Sequence, residues 1–483
     1  MIDVRPVIFV NGFLLLVLAA AMGVPALVDV VYADPDWQVF AASGVVTGFI
    51  ALAMVLGAKP EGRLSLTARQ AFMLSTTSWI VTAAAAALPF VFSGLGLSYT
   101  DGYFEAMSGL TTTGATVITG LDDQPYGLLL WRAMLHWMGG MGIIVMAVAV
   151  LPLLRIGGMQ FFRMESSDKS DRIKPRVSQT AGGIAVVYGL FTAACAVLLW
   201  LAGMTPFEAL CHAMATLSTG GFSTSDARLA HWDSTAITWI VTVFMTVSGA
   251  SLALFIRPWR RGRWEILGDT QTRWYLSFLG LFSAVLALWL WAVDDQDLGD
   301  ALTHATFHVV SIVTTTGLAS ADYAQWGGFP QVIFFILTFI GGCTGSTAGG
   351  IKIFRWEVLF QMAGAHLKQL LHPHGIFVIS FNRRTVSQSV VDSVLGFVVM
   401  YFLTFAVMAL ALTVVGLDFV TALSGSAAAL GNVGPGLGEV IGPLGSYRPL
   451  PDAAKWLLAF EMMMGRLELF SVLVLLSRSY WRE

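Results

Sequence analysis

Four short turns in the sequence place hydroxyl or amide side chains close before a glycine. They are Thr112-Thr113-Gly114, Ser218-Thr219-Gly220, Thr315-Thr316-Gly317 and, more loosely, Asn432-Val433-Gly434. A cation filter needs backbone carbonyls that turn inward and replace the hydration shell of the ion. Glycine permits the left-handed backbone angles that let consecutive carbonyls point the same way. Because the four glycines recur at a near-constant period, the pattern predicts one cation filter built from four turns.

A glycine-rich run interrupts the apolar segment 329–351. Five glycines with serine and threonine in residues 341–350 cannot continue a stable helix. A phosphate-binding loop does not fit, because its lysine directly follows a glycine, whereas Ile351 stands before Lys352 here. We predict a flexible gate beneath the filter, and a simple kink for helix packing is the alternative. The predicted gate residues are Gly345, Ser346, Thr347, Gly349 and Gly350.

Two arginines lie inside apolar runs. Arg466 is about 18 Å of helix from the cytoplasmic end marked by Arg478, too far for its side chain to reach water. Glu461 and Glu468 are not at the spacing of three or four that pairs side chains on a helix. Arg466 should therefore face a partner or a hydrated cavity. It forms either an electrostatic barrier below the filter or a structural tie to a carbonyl or acid on another span. We expect Arg132 to lie at the membrane interface.

The elements that position these residues must cross a membrane. The chain has 483 residues, of which 56% are hydrophobic and 12% are charged. About 20 apolar residues span a bilayer, and runs of that kind lie at 7–31, 37–57, 71–92, 128–151, 183–201, 235–256, 275–293, 329–351, 390–415 and 456–476. The first run lacks a clean cleavage pattern, and Asp3 precedes Arg5, so it is predicted to be a retained span and not a signal peptide.

The distribution of charge predicts the orientation. All but five of the 27 lysines and arginines lie near the N-terminus, in alternate loops (59–69, 155–176, 257–273 and 352–384) or in the C-terminal tail. Such loops are cytoplasmic in membrane proteins, which places both termini inside. The opposite loops carry aspartates, and a negative outer mouth would concentrate cations. Ordinary solvated loop charges are the alternative for each single aspartate. The three cysteines have no metal-like spacing and are expected to be free thiols.

Each filter turn follows a short apolar segment that is too short to cross the membrane. Asp101, Thr205-Pro206-Phe207-Glu208, Asp300 and Asp418 are predicted to open these helices, whose partly negative carbonyl ends would face the pore. The predicted fold is an all-α membrane protein with four M1–pore helix–M2 repeats around one pseudo-fourfold pore. An N-terminal two-helix hairpin (1–68) precedes repeats 1 (69–180), 2 (181–273), 3 (274–387, with a broken M2) and 4 (388–483).

These motifs resemble the Trk/Ktr potassium-uptake family, in particular its TrkH-type membrane subunits. The resemblance covers nearly the whole chain and is most specific at 111–116, 137–142, 218–224, 314–320, 341–355 and 432–438. It implies a homodimer in the bacterial inner membrane that transports potassium, with selectivity at Gly114, Gly220, Gly317 and Gly434. Ala348 and His136 depart from the residues usual in the family, glycine and glutamine.

The resemblance also implies the gate at 345–350, the charged residue Arg466 and a cytoplasmic ring of TrkA-type subunits that control opening with ATP, ADP or NAD. We expect no organic cofactor in this chain and no nucleic-acid partner. A proton- or sodium-coupled potassium symporter is the alternative function. A zinc enzyme using His304 and His308 is disfavoured, because a metalloprotease motif would carry a glutamate between them.

Overall fold

Helices form nearly all the regular structure of the computed structural model, which describes residues 2–60, 66–149, 177–256, 268–382 and 384–482. The strands in this part are one short antiparallel pair, Ser380–Phe381 and Arg384–Thr385. Six helical segments of the described chain are long and apolar enough to cross a membrane: Arg5–Val31, Trp37–Gly57, Ala68–Phe92, Gly182–Leu201, Thr270–Val293 and Gln388–Val414. The predicted all-α membrane class is confirmed.

The N-terminal hairpin, Arg5–Val31 and Trp37–Gly57, packs against repeat 1 and turns apolar side chains outward. Val45 and Phe49 are 73% and 75% exposed, as lipid-facing residues are expected to be. On the inner side, the Asn11 side-chain amide donates to Thr77 Oγ1 at 2.9 Å. Asp29 Oδ1 accepts from the backbone N–H of Gly127 at 2.6 Å. The hairpin is thus fastened to both M1 and M2 of repeat 1.

The remaining helices follow one another in four groups of M1, pore helix and M2. The M1 helices are Ala68–Ala86 (extended by Leu88–Phe92), Val177–Leu201, Thr270–Val293 and Gln388–Val414. The pore helices are Tyr99–Leu110, Pro206–Leu217, Leu298–Val313 and Phe419–Gly431. The M2 helices are Tyr126–Ala149, Thr235–Gly249, Gly328–Leu337 continued by Ile353–Leu371, and Asp452–Arg466 continued by Phe470–Leu476. The remaining short helical segments are Leu121–Asp123, Arg228–Trp232, Leu252–Phe255, Tyr323–Gln325, Gly438–Ile441 and Arg478–Trp481. The exact residue boundaries of the repeats stay predictions.

Pore helices 2 and 4 begin where the sequence predicts. The Thr205 side chain accepts from the backbone N–H of Glu208, whose carboxylate in turn accepts from the N–H of Thr205, and Asp418 caps through Thr421. This reciprocal bonding satisfies two of the amides that a helix start leaves free.

Pore helices 1 and 3 begin three residues earlier than predicted. Ser98 is the N-cap of pore helix 1, and Asp101 is its reciprocal partner inside the helix. Asp297 caps pore helix 3, and Asp300 lies in the first turn. The prediction was wrong because an aspartate suits both the cap and the first turn.

M2 is interrupted in three repeats, whereas the sequence predicts one broken helix. In repeat 2 the helix ends at Gly249, and the carbonyl of Gly249 accepts from the backbone N–H of Cys343 at 2.8 Å. The glycine-rich loop of repeat 3 therefore occupies the carbonyl that would accept a hydrogen bond from the next turn if the helix continued. In repeat 4 the break falls at Glu468 and Leu469, which have φ values of 58° and 47°.

Part of the predicted cytoplasmic charge lies outside the described residues. The basic loop 155–176 is not among them, nor are 257–267 and 61–65, which belong to two further basic loops. The orientation of the termini therefore stays a prediction.

Candidate functional site

The four pore helices end in turns of the same backbone form. In every repeat the residue just before the filter glycine donates its backbone N–H to the carbonyl of the residue five positions earlier. These bonds run from Thr113 to Ser108, Gly220 to Ala215, Thr316 to Ser311 and Val433 to Ala428, at 2.8–2.9 Å. The preceding residue is left-handed each time: φ is 52° at Thr112, 55° at Thr219, 56° at Thr315 and 54° at Asn432. Since this region is rare for residues with a side chain, its fourfold recurrence marks four equivalent turns.

The backbone shifts the register of the second turn by one residue. The glycine with positive φ that matches Gly114, Gly317 and Gly434 is Gly221, at 84°, and not Gly220. Ser218 accordingly matches Thr111, not Thr112. Two adjacent glycines leave this register open in the sequence, and only the hydrogen bonds of the turn decide it. The prediction that aligned Gly220 with the other three glycines was wrong.

The four turns meet around one axis. An ideal Cβ built on Gly114 would lie 2.1 Å from the carbonyl oxygen of Gly220 in repeat 2. The same construction gives 2.0 Å from Gly221 to Thr316 O, 1.9 Å from Gly317 to Val433 O and 2.4 Å from Gly434 back to Thr113 O. Each glycine thus packs on a carbonyl of the next repeat, and the last packs on the first. The contacts close a ring of four turns, which a dispersed set of loops cannot form.

A polar side chain braces each turn from its own pore helix. Glu105 accepts from Thr116 Oγ1 at 2.9 Å and from the Val117 N–H, also at 2.9 Å. At the corresponding position of repeat 2, His212 Nε2 pairs with Ser223 Oγ at 3.0 Å.

Repeats 3 and 4 use an imidazole and a hydroxyl for the same purpose. His308 Nε2 accepts from the Ser320 N–H at 3.3 Å, and in repeat 4 Ser424 Oγ accepts from the Leu437 N–H at 2.9 Å. These supports were missed in the sequence because their chemistry differs between repeats. Glu105, His212 and His308 each lie nine residues before the filter glycine of their repeat, and this shared offset is the signal that would reveal three of the four braces.

His304 and His308 do not form a metal site. His308 Nδ1 lies 2.8 Å from the backbone carbonyl of His304, and its other ring nitrogen is used by Ser320. Across the described ranges no group of three histidine, cysteine or acidic side chains is placed to hold a metal ion.

Arg132 is buried against the filter turns of repeats 1 and 2, contrary to its predicted interfacial position. Its Nε donates to Glu105 Oε1 at 2.8 Å, its Nη1 donates to the Ser223 carbonyl at 2.7 Å, and its guanidinium lies 4.1 Å from the ring centre of Phe222. Both charged side chains are almost fully buried. The ion pair lies within repeat 1, and the contacts of Arg132 with Ser223 and Phe222 join it to repeat 2. Removing one partner of such a buried pair costs about 3–5 kcal/mol.

A cavity of about 260 Å³ adjoins the filter turns. Gly114 and Gly221 line it, together with Thr116, Arg228 and Asp226. Asp226 also accepts from the backbone N–H of Gly120 at 2.7 Å. The cavity is therefore a vestibule that ends at the filter glycines. The predicted orientation of the chain makes it the outer vestibule.

The glycine-rich loop of repeat 3 contacts the filter from the other side. Thr347 Oγ1 lies 3.3 Å from Thr219 Oγ1 and donates to the Leu217 carbonyl at 3.1 Å. The backbone N–H of Gly349 donates to Thr315 Oγ1 at 2.7 Å. Thr347 and Gly349 are buried. The predicted gate residues thus touch two of the four filter turns.

Arg466 contacts this loop. Its Nη1 donates to the Thr347 carbonyl at 2.8 Å, and the residue is 2% exposed. Within the described chain Nε and Nη2 have no hydrogen-bond partner. The predicted tie to a carbonyl is therefore present, and the barrier role stays a prediction.

A second group of charges lies close to the loop. Lys352 Nζ donates to the Ala348 carbonyl, and Arg355 forms an ion pair with Glu468. Glu468 stands at the helix break in M2 of repeat 4. The ion pair links M2 of repeat 3 to the break in repeat 4, a contact between residues far apart in sequence.

Comparisons with known proteins cover nearly the whole chain, and all of them point to the same family. A family model described as TrkH, cation transport protein, matches residues 38–482. The chain is 44% identical to the Trk system potassium uptake protein TrkI of Halomonas elongata, over 99% of this chain and 97% of that protein. It is 38% identical to the Trk system potassium uptake protein TrkH of Escherichia coli, over 99% of each. The crystal structure of the potassium transporter TrkH from Vibrio parahaemolyticus superposes with a TM-score of 0.92 at 38% identity, covering 100% of both chains.

Proposed function

The chain belongs to the TrkH family of cation transport proteins, and on that premise we propose that it takes up potassium across the bacterial inner membrane. It is a multi-pass membrane transporter and not an enzyme. The observation that carries the proposal is the closed ring of four equivalent turns, in which each filter glycine packs on a carbonyl of the next repeat. Such a ring offers a dehydrated cation several backbone oxygens at once.

The filter proposed here consists of three residues from each turn. Carbonyls of these residues take the place of water around the ion. The residues are Thr112, Thr113 and Gly114 in repeat 1, Thr219, Gly220 and Gly221 in repeat 2, Thr315, Thr316 and Gly317 in repeat 3, and Asn432, Val433 and Gly434 in repeat 4. Support comes from the shared left-handed residue and glycine in each turn.

The loop 345–350 acts as the gate in this proposal, with Arg466 as an electrostatic barrier beside it. Thr347 and Gly349 hydrogen-bond to filter hydroxyls, so an ion leaving the filter toward this side meets the loop first. Opening requires the loop to leave these contacts. The partly unpaired guanidinium of Arg466 repels a cation on the same path.

Regulation comes from outside the chain in this proposal. Cytoplasmic TrkA-type nucleotide-binding subunits act on a homodimer whose termini are cytoplasmic. The support is the family membership together with basic loops that alternate along the sequence.

Uptake in cells tests the function. The chain is expressed in a bacterium that lacks its own potassium-uptake transporters but keeps the nucleotide-binding subunits, and the initial uptake of potassium is measured in potassium-depleted cells. We expect saturable potassium uptake and growth on low potassium, neither of which empty vector supports. No uptake from a protein that reaches the membrane would refute the proposal.

The same cells separate a gated pore from a coupled symporter. We expect potassium uptake at a fixed membrane potential to continue when sodium is removed or the external pH is raised. Loss of uptake under either condition would favour coupling to sodium or protons.

A further inference from the structure

Arg228 reaches the filter of a neighbouring repeat from the outer loop of repeat 2. Its Nη1 donates to the carbonyl oxygen of Gly317 at 3.0 Å, and the residue is 8% exposed. The loop is held in place because the backbone N–H of Leu229 donates to the Ala319 carbonyl at 3.2 Å. Arg228 also lines the outer vestibule. An arginine thus stands within hydrogen-bond distance of a proposed ion-binding turn, on the side from which potassium enters.

The charge of Arg228 is not neutralised by a direct partner. No carboxylate in the part of the chain that the structure describes lies within ion-pair distance of its guanidinium, whereas Arg132 is paired with Glu105. Asp226 lines the same cavity but bonds to Gly120. The positive charge therefore acts on the vestibule and the filter.

The backbone at Arg228 is held in an unfavourable conformation. Its φ of 53° lies in the left-handed region, which residues with a side chain seldom adopt. Conformations of this kind persist where the surrounding contacts over-determine them. The contacts are those of the loop with repeat 3, so the fold keeps the guanidinium at Gly317 despite the backbone cost.

The outer end of the filter is not fourfold in its hydrogen bonds. The Tyr447 hydroxyl donates to the Gly434 carbonyl at 2.7 Å, as Arg228 does to Gly317. Among the residues with assigned positions, no side-chain donor reaches the carbonyl of Gly114 or Gly221. Two of the four glycine carbonyls therefore accept a hydrogen bond from a side chain, and one of these two donors is charged.

We propose that Arg228 is a positioning residue that weakens cation binding at the outer end of the filter and fixes the carbonyl that selects the ion there. This inference rests on the proposed potassium function. The guanidinium engages one lone pair of the Gly317 oxygen and so fixes its direction. Its charge opposes a cation at the same level. An ion that binds less tightly at the entrance passes on more readily, as conduction requires.

The test separates the hydrogen bond from the charge. Arg228→Gln keeps a donor and removes the charge, Arg228→Met removes both, and Arg228→Lys keeps the charge. Arg448→Gln is the matched control, because Arg448 is exposed on another outer loop. Initial potassium uptake is measured against external potassium in the cells described above, with sodium as competitor.

The half-saturating potassium concentration should fall about fivefold in Arg228→Gln and in Arg228→Met, since the opposing charge is gone. Discrimination against sodium should fall only in Arg228→Met. Arg228→Lys should keep the wild-type half-saturation, and Arg448→Gln should stay within about twofold of it because exposed charges are screened.

Wild-type uptake with unchanged half-saturation in Arg228→Gln and Arg228→Met would overturn this inference and leave the potassium function intact. Absence of uptake in the wild type would instead overturn the function. If the Arg228 variants fail to reach the membrane, Tyr447→Phe supplies the decision. It should lower sodium discrimination without changing half-saturation, and unchanged discrimination would contradict the proposed asymmetry of the carbonyls.

Discussion

The filter glycines have no room for a side chain. Gly221 combines a φ of 84° with a neighbouring carbonyl that would lie 2.0 Å from any Cβ. Gly220 has a different reason to be glycine, since its Cβ would lie 2.4 Å from the His136 ring. His136 Nδ1 in turn lies 2.8 Å from the Gly109 carbonyl, and its Nε2 accepts from the Phe222 N–H at 3.1 Å. Adjacent glycines thus serve two purposes, one in the ring and one in its support.

Replacing Gly221 with serine should reduce the discrimination of potassium from sodium by about tenfold or more, because the displaced Thr316 carbonyl no longer matches the ion. Competition uptake of the two ions measures this ratio. Gly189→Ser is the matched control, since a Cβ at Gly189 meets nothing within 4 Å. Unchanged selectivity in a membrane-inserted Gly221→Ser variant would count against the filter assignment.

At the scale of elements, the proposed gate loop is held by hydrogen bonds to residues of repeats 2, 3 and 4. Thr347 bonds to the end of pore helix 2, Gly349 bonds to the filter turn of repeat 3, and Arg466 in M2 of repeat 4 bonds to the Thr347 carbonyl. The break after Gly249 in repeat 2 makes room for this loop, because the Gly249 carbonyl bonds to Cys343. In the proposed closed state these contacts act together, so loosening any one of them should favour opening.

Replacing Arg466 with alanine should raise the maximal rate of potassium uptake several-fold without changing the potassium-to-sodium ratio. The substitution removes both a hydrogen bond to the gate and an unpaired charge beside the path. Uptake at saturating potassium, normalised to the amount of protein in the membrane, measures the effect. Lys455→Ala is a less suitable control because Lys455 is ion-paired to Asp101, so Arg448→Gln serves again. An equal or lower rate would remove the barrier role.

At the scale of the whole molecule, one ring of contacts holds four repeats with different sequences. The backbone of the turns is nearly fourfold, but the braces are a carboxylate, two imidazoles and a hydroxyl. Within the described ranges, the broken M2 helices are likewise those of repeats 2, 3 and 4. Since the repeats meet through the filter, an ion bound there links all four.

Potassium should therefore stabilise the folded protein more than sodium does. A ligand at 100 times its dissociation constant adds about 2.7 kcal/mol to the free energy of unfolding. Thermal unfolding of the detergent-solubilised protein in potassium, sodium or choline chloride at equal ionic strength measures the difference. We expect the highest midpoint in potassium and loss of that advantage in Gly221→Ser. Equal midpoints in all three salts would argue against a selective filter.

The sequence by itself determined the class of the fold and the existence of four recurring glycine turns. Apolar runs long enough to span a bilayer and four hydroxyl-or-amide–glycine turns are local properties, and local properties can be read without coordinates. The glycines of 341–350 likewise predicted a broken helix, because each glycine inside a helix costs about 1 kcal/mol relative to alanine and five occur in this run.

Tertiary structure alone decided the register at Gly221, the breaks at Gly249 and Glu468, and the partners of Arg132, Arg228 and Arg466. Gly221 packs on the Thr316 carbonyl of the next repeat, and the three arginines bond to carbonyls or a carboxylate that folding brings close. A buried guanidinium must find such an acceptor, but the sequence does not say which one. The break after Gly249 follows the same rule, since the carbonyl of Gly249 accepts from the backbone N–H of Cys343 in repeat 3.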